Sequence, residues 1–213
     1  SRRDGLWKST NAGANWTQIS TSSVPTGSDE TNKYWGQAFV AVDKNTGNSS
    51  APSQTIYVGV QKYGVYRSTN GGSSWGLLSG GPATTYKPVS GAISSDGALY
   101  VTYSNAADQN SSGTGYVYKF VNGSGSNITP ATNGGTGFTG IDVIGTNVVT
   151  MQWNCDPTLM VHYSNNGGSS WSAKSFSTRT ETARYPTWAG WTWTAHIVFN
   201  PGNLNEVLLT NGF

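Results

Sequence analysis

Ser68-Thr69-Asn70-Gly71-Gly72-Ser73-Ser74-Trp75 decides the fold, because the chain carries the same pattern twice more. Residues 9–16 read Ser-Thr-Asn-Ala-Gly-Ala-Asn-Trp and residues 164–171 read Ser-Asn-Asn-Gly-Gly-Ser-Ser-Trp, so all three fit Ser-x-Asn-x-Gly-x-x-Trp. Strand-like residues precede each copy: Gly5-Leu6-Trp7-Lys8, Gly64-Val65-Tyr66-Arg67 and Leu159-Met160-Val161-His162-Tyr163. The chemistry is that of a hairpin turn. The Asn amide can accept hydrogen bonds from backbone N–H groups two residues on, and Gly takes positive φ without a Cβ clash. The Trp opens the return strand, and its ring can fold back over the turn as a plug. Turn chemistry accounts for every fixed position, so the octapeptide marks scaffold.

Working outward, runs with period-two alternation recur between turn residues. Segments 5–10 and 15–20 flank the first copy. Segments 36–43, 55–61, 64–69 and 74–79 make a four-strand set closed by the second copy, and 88–94, 98–104, 115–121 and 127–131 make another. The third turn of that set, Asn122-Gly123-Ser124-Gly125, reads as a copy that has lost its Trp. Segments 138–144, 147–153, 159–164 and 170–176 follow, and then 193–199 and 206–210. Four antiparallel strands about every fifty residues are the signature of a β-propeller. The expected fold is therefore all-β, a propeller of four-stranded antiparallel blades in a single domain, 1–213. It divides into a half blade 1–20, blades 36–79, 88–131 and 138–176, and a half blade 193–213. With strands A to D counted outward from the axis, the chain enters at a C strand and leaves after a B strand. Its end halves would either pair to close a four-bladed ring or belong to a larger propeller; the larger propeller is expected.

Composition narrows the function. Of 213 residues only 10% are charged, and the net charge of +2 implies neither nucleic acid nor an anionic membrane as partner. No apolar run approaches a transmembrane length and no signal peptide is visible. The chain starts at Ser1, which reads as a processed or excised piece. Nine Trp and eleven Tyr among many Gly, Ser, Thr and Asn suit short strands, frequent turns and a carbohydrate-facing surface. Sequons at Asn15, Asn48, Asn110, Asn122 and Asn127 point to a secreted, extracellular glycoprotein. Cys155 is the only cysteine and has no internal partner. His162 and His196 lie on strands without paired ligands, so no metal site and no cofactor is expected.

Up-and-down strands sort the loops by face. The octapeptides are C–D turns, so A–B turns share their face, while D–A and B–C loops lie opposite. The longer loops, 21–35, 103–114 and 177–192, fall on that second face, and Trp35, Tyr86, Trp153, Trp188 and Trp191 lie in or beside them. Four sequons (Asn15, Asn48, Asn122, Asn127) fall on the octapeptide face and only Asn110 on the other. A cleft that admits a polymer would be kept clear of glycans in this way.

The octapeptide resembles the Asp-box, or bacterial neuraminidase repeat, with Asn in the Asp position each time. Such boxes mark propeller blades in sialidases, sortilin-type receptors and several polysaccharide hydrolases. The whole chain, in order, is similar to glycoside hydrolase family 74, the xyloglucanases and oligoxyloglucan-specific enzymes. The likeness is carried by Asp4-Gly5-Leu6-Trp7-Lys8-Ser9-Thr10, Gln54-Thr55-Ile56-Tyr57-Val58-Gly59-Val60, residues 94–104, Ile128-Thr129-Pro130, Gln152-Trp153, Gly190-Trp191 and Phe199-Asn200-Pro201. Asn200 stands where the family commonly has Asp, and Thr192 interrupts a usual Trp pair.

The resemblance implies an enzyme of two seven-bladed propellers with a cleft between them, this chain being an internal part of the first. It implies inversion at a β-1,4-glucan backbone by two Asp residues set roughly 6.5–9.5 Å apart to admit a water. Neither catalytic motif occurs in this chain, so no catalytic residue is assigned; Asp156 beside Trp153 is the best loop-face acid. Trp35, Gln152, Trp153 and Trp191 are the substrate-binding candidates, since an indole offers apolar area to the C–H face of a glucosyl ring. The implied partners are xyloglucan or a related β-glucan and the rest of the chain's own propeller or a second one. A different class of function is a non-catalytic, lectin-like carbohydrate-binding propeller. A sialidase, which needs clustered arginines, fits poorly with Arg2, Arg3, Arg67, Arg179 and Arg184.

Overall fold

The structure, a computed structural model, describes residues 4–27, 36–106, 113–131, 137–152, 161–174 and 193–212. Among these, strands β1 (Trp7–Lys8) and β2 (Thr17–Gln18) form a two-stranded sheet. Strands β3 (Gln37–Val42), β4 (Ile56–Val60), β5 (Gly64–Ser68) and β6 (Gly76–Leu77) form a four-stranded antiparallel sheet in sequence order. So do β7 (Lys87–Ile93), β8 (Leu99–Ser104), β9 (Gly115–Val121) and β10 (Ser124–Asn127). A third such sheet holds β11 (Phe138–Ile144), β12 (Asn147–Gln152), β13 (Val161–Ser164) and β14 (Ser172–Lys174). The last pair is β15 (Trp193–Asn200) with β16 (Asn203–Gly212). This is an all-β propeller architecture of stacked meander blades. Among the described residues the end pairs are two separate two-stranded sheets.

The octapeptide turns work differently from the two-residue reach expected of Asn. The first Ser makes the short contact: Ser68 Oγ accepts from Asn70 N (3.3 Å) and Gly72 N (2.8 Å) and donates to Asn70 Oδ1 (2.9 Å). Asn70 Oδ1 reaches four residues on, accepting from Ser74 N at 2.9 Å. Ser164 and Asn166 repeat this with Gly168 and Ser170, and Ser9 and Asn11 with Gly13 and Asn15. Gly72 and Gly168 take φ of 91° and 88°, which is why the fifth position is Gly. The plug forms at Trp75 and Trp16, whose indole N–H groups donate to Gly72 O and Gly13 O at 3.1 Å. At Trp171 the indole instead donates to Ile128 O of the preceding blade at 2.6 Å.

The Asn122-Gly123 turn is not a degenerate box. Val121 pairs directly with Ser124, and Asn122 and Gly123 have φ of 52° and 90°, a two-residue hairpin of the kind Asn-Gly favours. Strand β10 therefore starts three residues earlier than the expected 127, which moves Asn127 away from the turn to the last residue of this outer strand, opposite Tyr118.

Strands β3, β7, β11 and β15 lie side by side in that order around the axis. The first two blades meet through an aromatic slot. An added Cβ would stand 2.3 Å from the Phe39 ring at Gly59 and 2.4 Å from its other edge at Gly91. Phe39 is thus clamped between two strand glycines on neighbouring blades. The adjoining core packs Tyr57, Val65, Leu99, Val101, Tyr103 and Phe120, and the next one Tyr100, Val117, Phe138, Ile141 and Val148. Polar side chains bolt blade to blade through backbone groups. Thr102 Oγ1 donates to Thr139 O (2.7 Å), Phe199 N donates to Asp142 Oδ2 (2.8 Å), and Asn45 Nδ2 donates to Ser95 O (3.0 Å). At the two ends of the stack Val40, Val42, Val198 and Leu208 are exposed.

Two comparisons test this packing. Gly91→Ala should cost about 1–3 kcal/mol in urea unfolding through overpacking against Phe39, while Gly76→Ala, with no atom within 4 Å of the new Cβ, should stay within about 0.5 kcal/mol. Trp171→Ala should cost roughly 3–5 kcal/mol. Trp16→Ala should cost far less, since Trp16 is 59% exposed. Equal losses within either pair would contradict the packing described.

Candidate functional site

The two faces of the stack differ in kind. On one, the second and third boxes lean on the A–B connections of their own blades: Gly71 N donates to Gln54 O (2.9 Å) and Gly167 N to Thr146 O (2.8 Å). Around the axis on this face opens a cleft of about 460 Å³ bounded by residues of β3, β7, β11 and β15, Asp43, Ser94, Asp142 and His196 among them. Its carboxylates serve the backbone. Asp43 Oδ1 accepts from Asn45 N (3.0 Å), and Asp142 accepts from Val143 N (2.9 Å) and Phe199 N (2.8 Å). Asp96, in the β7–β8 turn, is held below the usual carboxylate range chiefly by the Ser94 hydroxyl, with help from Ala98 N–H. These acids tie turns and blades together.

Strand alternation puts the β2–β3, β4–β5, β6–β7, β8–β9, β10–β11, β12–β13 and β14–β15 connections at the other end of the strands. Trp35, Trp153 and Trp191, expected to line a cleft there, lie outside the described residues, as do Asn110, Cys155, Asp156 and Trp188. Gln152 is described, at the end of β12. It is 1% exposed, and its Oε1 lies 2.7 Å from His162 Nε2. Because an amide oxygen only accepts, the imidazole carries its proton on Nε2. Gln152 therefore stands in the interior as a latch between β12 and β13, beside the chain that continues to Trp153.

What the structure does bring together on this face is a group of tyrosines. Tyr86, just before β7, lies with its ring centroid 4.6 Å from that of Tyr116 on β9, at 57°. Its hydroxyl is 3.3 Å from Thr114 Oγ1. Hydrogen bonds from Thr114 and then Tyr116 pull the Tyr86 phenol below its ordinary pKa, and the same shared bond raises that of Tyr116. Tyr116 continues into Tyr118 (6.0 Å) and Phe120 (6.2 Å further) along one face of β9, while buried Tyr103 meets Tyr118 edge-on at 5.7 Å. The ladder is half-buried at Tyr86 and Tyr116 and sealed at Phe120. Next to it Lys87, also buried, donates to Ala106 O at 2.6 Å, and Asn105 N donates to Thr114 O at 2.9 Å. Tyr86 was expected beside these loops. Tyr116 and Thr114 were not, although Tyr116-x-Tyr118-x-Phe120 on one strand directly after a long loop is the signal that finds them.

The sequon residues Asn15, Asn48 and Asn122 are exposed on the box face, and Asn127 is exposed on the outer edge of its blade.

The Gln152–His162 latch predicts a pH dependence. Burial, at 3% exposure, pushes the His162 pKa below 6.5. The unfolded chain takes up this proton near its ordinary pKa and the folded chain only at lower pH. The latch's contribution is therefore complete above about pH 6.5 and is lost as pH falls from there toward the folded pKa. Thermal melts from about pH 8 to about pH 5 should show a fall in Tm for the native chain that is smaller in His162→Gln. Identical pH profiles would rule the latch out as its cause.

No family model matches the chain. It is 33% identical over 186 residues to a xyloglucanase of Paenibacillus, a match covering 79% of this chain and 18% of that enzyme. Among solved structures, the Niastella koreensis enzyme of glycoside hydrolase family 74 superposes with a TM-score of 0.75 at 29% identity, over 98% of this chain and 32% of the other. The family 74 xyloglucanase of Xanthomonas campestris superposes with a TM-score of 0.78 over 100% of this chain and 33% of the other, at 24% identity. The chain thus spans about a fifth of the curated relative and a third of the solved ones. In sequence and in blade architecture alike, the chain belongs to glycoside hydrolase family 74, covering part of such an enzyme.

Proposed function

We propose that this chain is part of a secreted, glycosylated hydrolase that cuts the β-1,4-glucan backbone of xyloglucan by inversion, and that it supplies scaffold and one wall of the substrate cleft. The observation that carries this reading is the 33% identity to a xyloglucanase over most of the chain, on the same propeller frame. The described acids support a division of labour. Asp43, Asp96 and Asp142 are engaged with turn and inter-blade donors, which fits an acid and base supplied by other parts of the enzyme. The exposed valines and leucine at the ends of the stack are apolar faces that further blades would cover. Trp35, Trp153 and Trp191 are the proposed platforms for glucosyl rings. Gln152, from its buried position, would steady the segment that carries Trp153. A lectin-like role remains the second reading, favoured by the structural engagement of those same acids.

The purified chain should release no reducing sugar from xyloglucan. Hydrolysis abolished by mutating one of its own acids would overturn the division of labour. In a complete enzyme, Trp153→Ala should weaken oligosaccharide binding by roughly 1–2 kcal/mol with little change in melting temperature. A much lower melt with unchanged calorimetric affinity would make Trp153 a core residue.

A further inference from the structure

We infer that Tyr86 and Tyr116, together with the Thr114 hydroxyl, form a sugar-ring subsite at the loop-face rim of the β7–β10 blade, taking one neutral pyranose of a β-glucan chain or its branches. The inference rests on the carbohydrate function proposed above and adds to it a location and a mode of contact.

Three observations converge there. The rings are fixed from behind: both pack against the core of Tyr57, Val65, Leu99, Val101, Tyr103 and Phe120, and Tyr116 abuts the Tyr118–Phe120 ladder. Tyr86 is further held by its own backbone, whose N–H donates to Ala83 O at 2.9 Å. A ligand meeting these rings therefore orders little that is not already ordered. The rings also keep part of their surface open in front, where Phe120 and Tyr103, deeper in the same stack, are each only 2% exposed. Packing alone would have sealed the outer members as it sealed the inner ones. Finally, the polar groups at the rim are hydroxyls. Tyr86 Oη lies 3.3 Å from Thr114 Oγ1, and the Tyr86 ring packs on that of Tyr116 with centroids 4.6 Å apart. Whichever of the two hydroxyls donates in this pair, each is both donor and acceptor, so the rim offers a sugar hydroxyl both kinds of partner. Two ring planes inclined at 57° offer an apolar face to the C–H side of a sugar and a hydroxyl edge to its oxygens. This pattern suits a neutral polyol. The Lys87 amine is turned inward to Ala106 O, where it fastens the loop that carries Thr114.

The test uses the purified chain in native electrophoresis through gels containing graded xyloglucan. The wild-type chain should be retarded. Tyr86→Ala and Tyr116→Ala should each raise the apparent Kd about five- to tenfold. Thr114→Val, at an exposed position that leaves both rings in place, should raise it about twofold to threefold. Thermal melts accompany each variant; if an alanine variant does not fold, Thr114→Val and Tyr86→Phe decide in its place. Retardation of the wild type with all folded variants unchanged overturns the subsite and leaves the xyloglucan reading standing. A wild-type chain that migrates identically with and without xyloglucan overturns both.

Discussion

The fold depends on a small knot of side-chain oxygens. In each box a Ser hydroxyl and an Asn amide oxygen take up backbone N–H groups that the hairpin ladder cannot reach, Asn70, Gly72 and Ser74 in the second box. Unpaired, those groups would make the turn costly and the hairpin loose. Asn in place of Asp keeps the acceptor oxygen that these backbone donors need. It adds a donor as well: Asn70 Nδ2 bonds Ser74 Oγ and Asn166 Nδ2 bonds Ser170 Oγ, both at 2.8 Å. A carboxylate could hold the same Ser only by accepting its O–H, so Asn leaves that hydroxyl proton free to donate elsewhere. Where Asn15 replaces that Ser in the first box, the added bond has no hydroxyl to receive it.

From rigid hairpins the blades are stacked with few charges. Apolar slots such as Gly59–Phe39–Gly91 set how closely two blades approach, since interiors have the density of crystals and a strand glycine is where a ring can enter. The inter-blade bolts that accompany them run from neutral side chains to backbone carbonyls, Thr102 to Thr139 and Asn45 to Ser95. Charged bolts also end on backbone: Asp142 accepts from Phe199 N, and Lys8 Nζ donates to Gly71 O of the next blade. A chain that is only 10% charged can hold its blades in this way because hydrogen bonds to backbone need no ion pairs.

The same geometry divides labour between the two ends of the strands. Boxes, A–B turns and three exposed sequon residues occupy one end. The other carries long connections whose bases are pinned by Lys87 to Ala106 O, by Gly36 N to Gln61 Oε1, and by the Gln152–His162 pair. Loops hung from pinned bases on a stiff frame are the usual place for recognition. The tyrosine ladder joins the two, running from sealed core to open rim within one blade.

The amino-acid sequence by itself determined the blade. Three copies of Ser-x-Asn-x-Gly-x-x-Trp and period-two strands fix where hairpins turn, which face each turn occupies and how many strands a sheet holds, because those properties depend on residues within a few positions of one another. It also announced the family through residues 94–104 and their neighbours. It misread the turn at Asn122-Gly123, where a two-residue hairpin and a box share their first residues and differ only in how soon the strand returns. What lay across blades was not legible. That Trp171 caps its neighbour's Ile128 instead of its own turn, and that Gln152 faces inward to His162, follow from contacts between residues forty-three and ten apart. Likewise Tyr86 and Tyr116 become one surface only when a D–A linker and a C strand are folded together. Local chemistry repeats along the chain and can be read there; a contact between distant residues exists only once packing has chosen which faces meet.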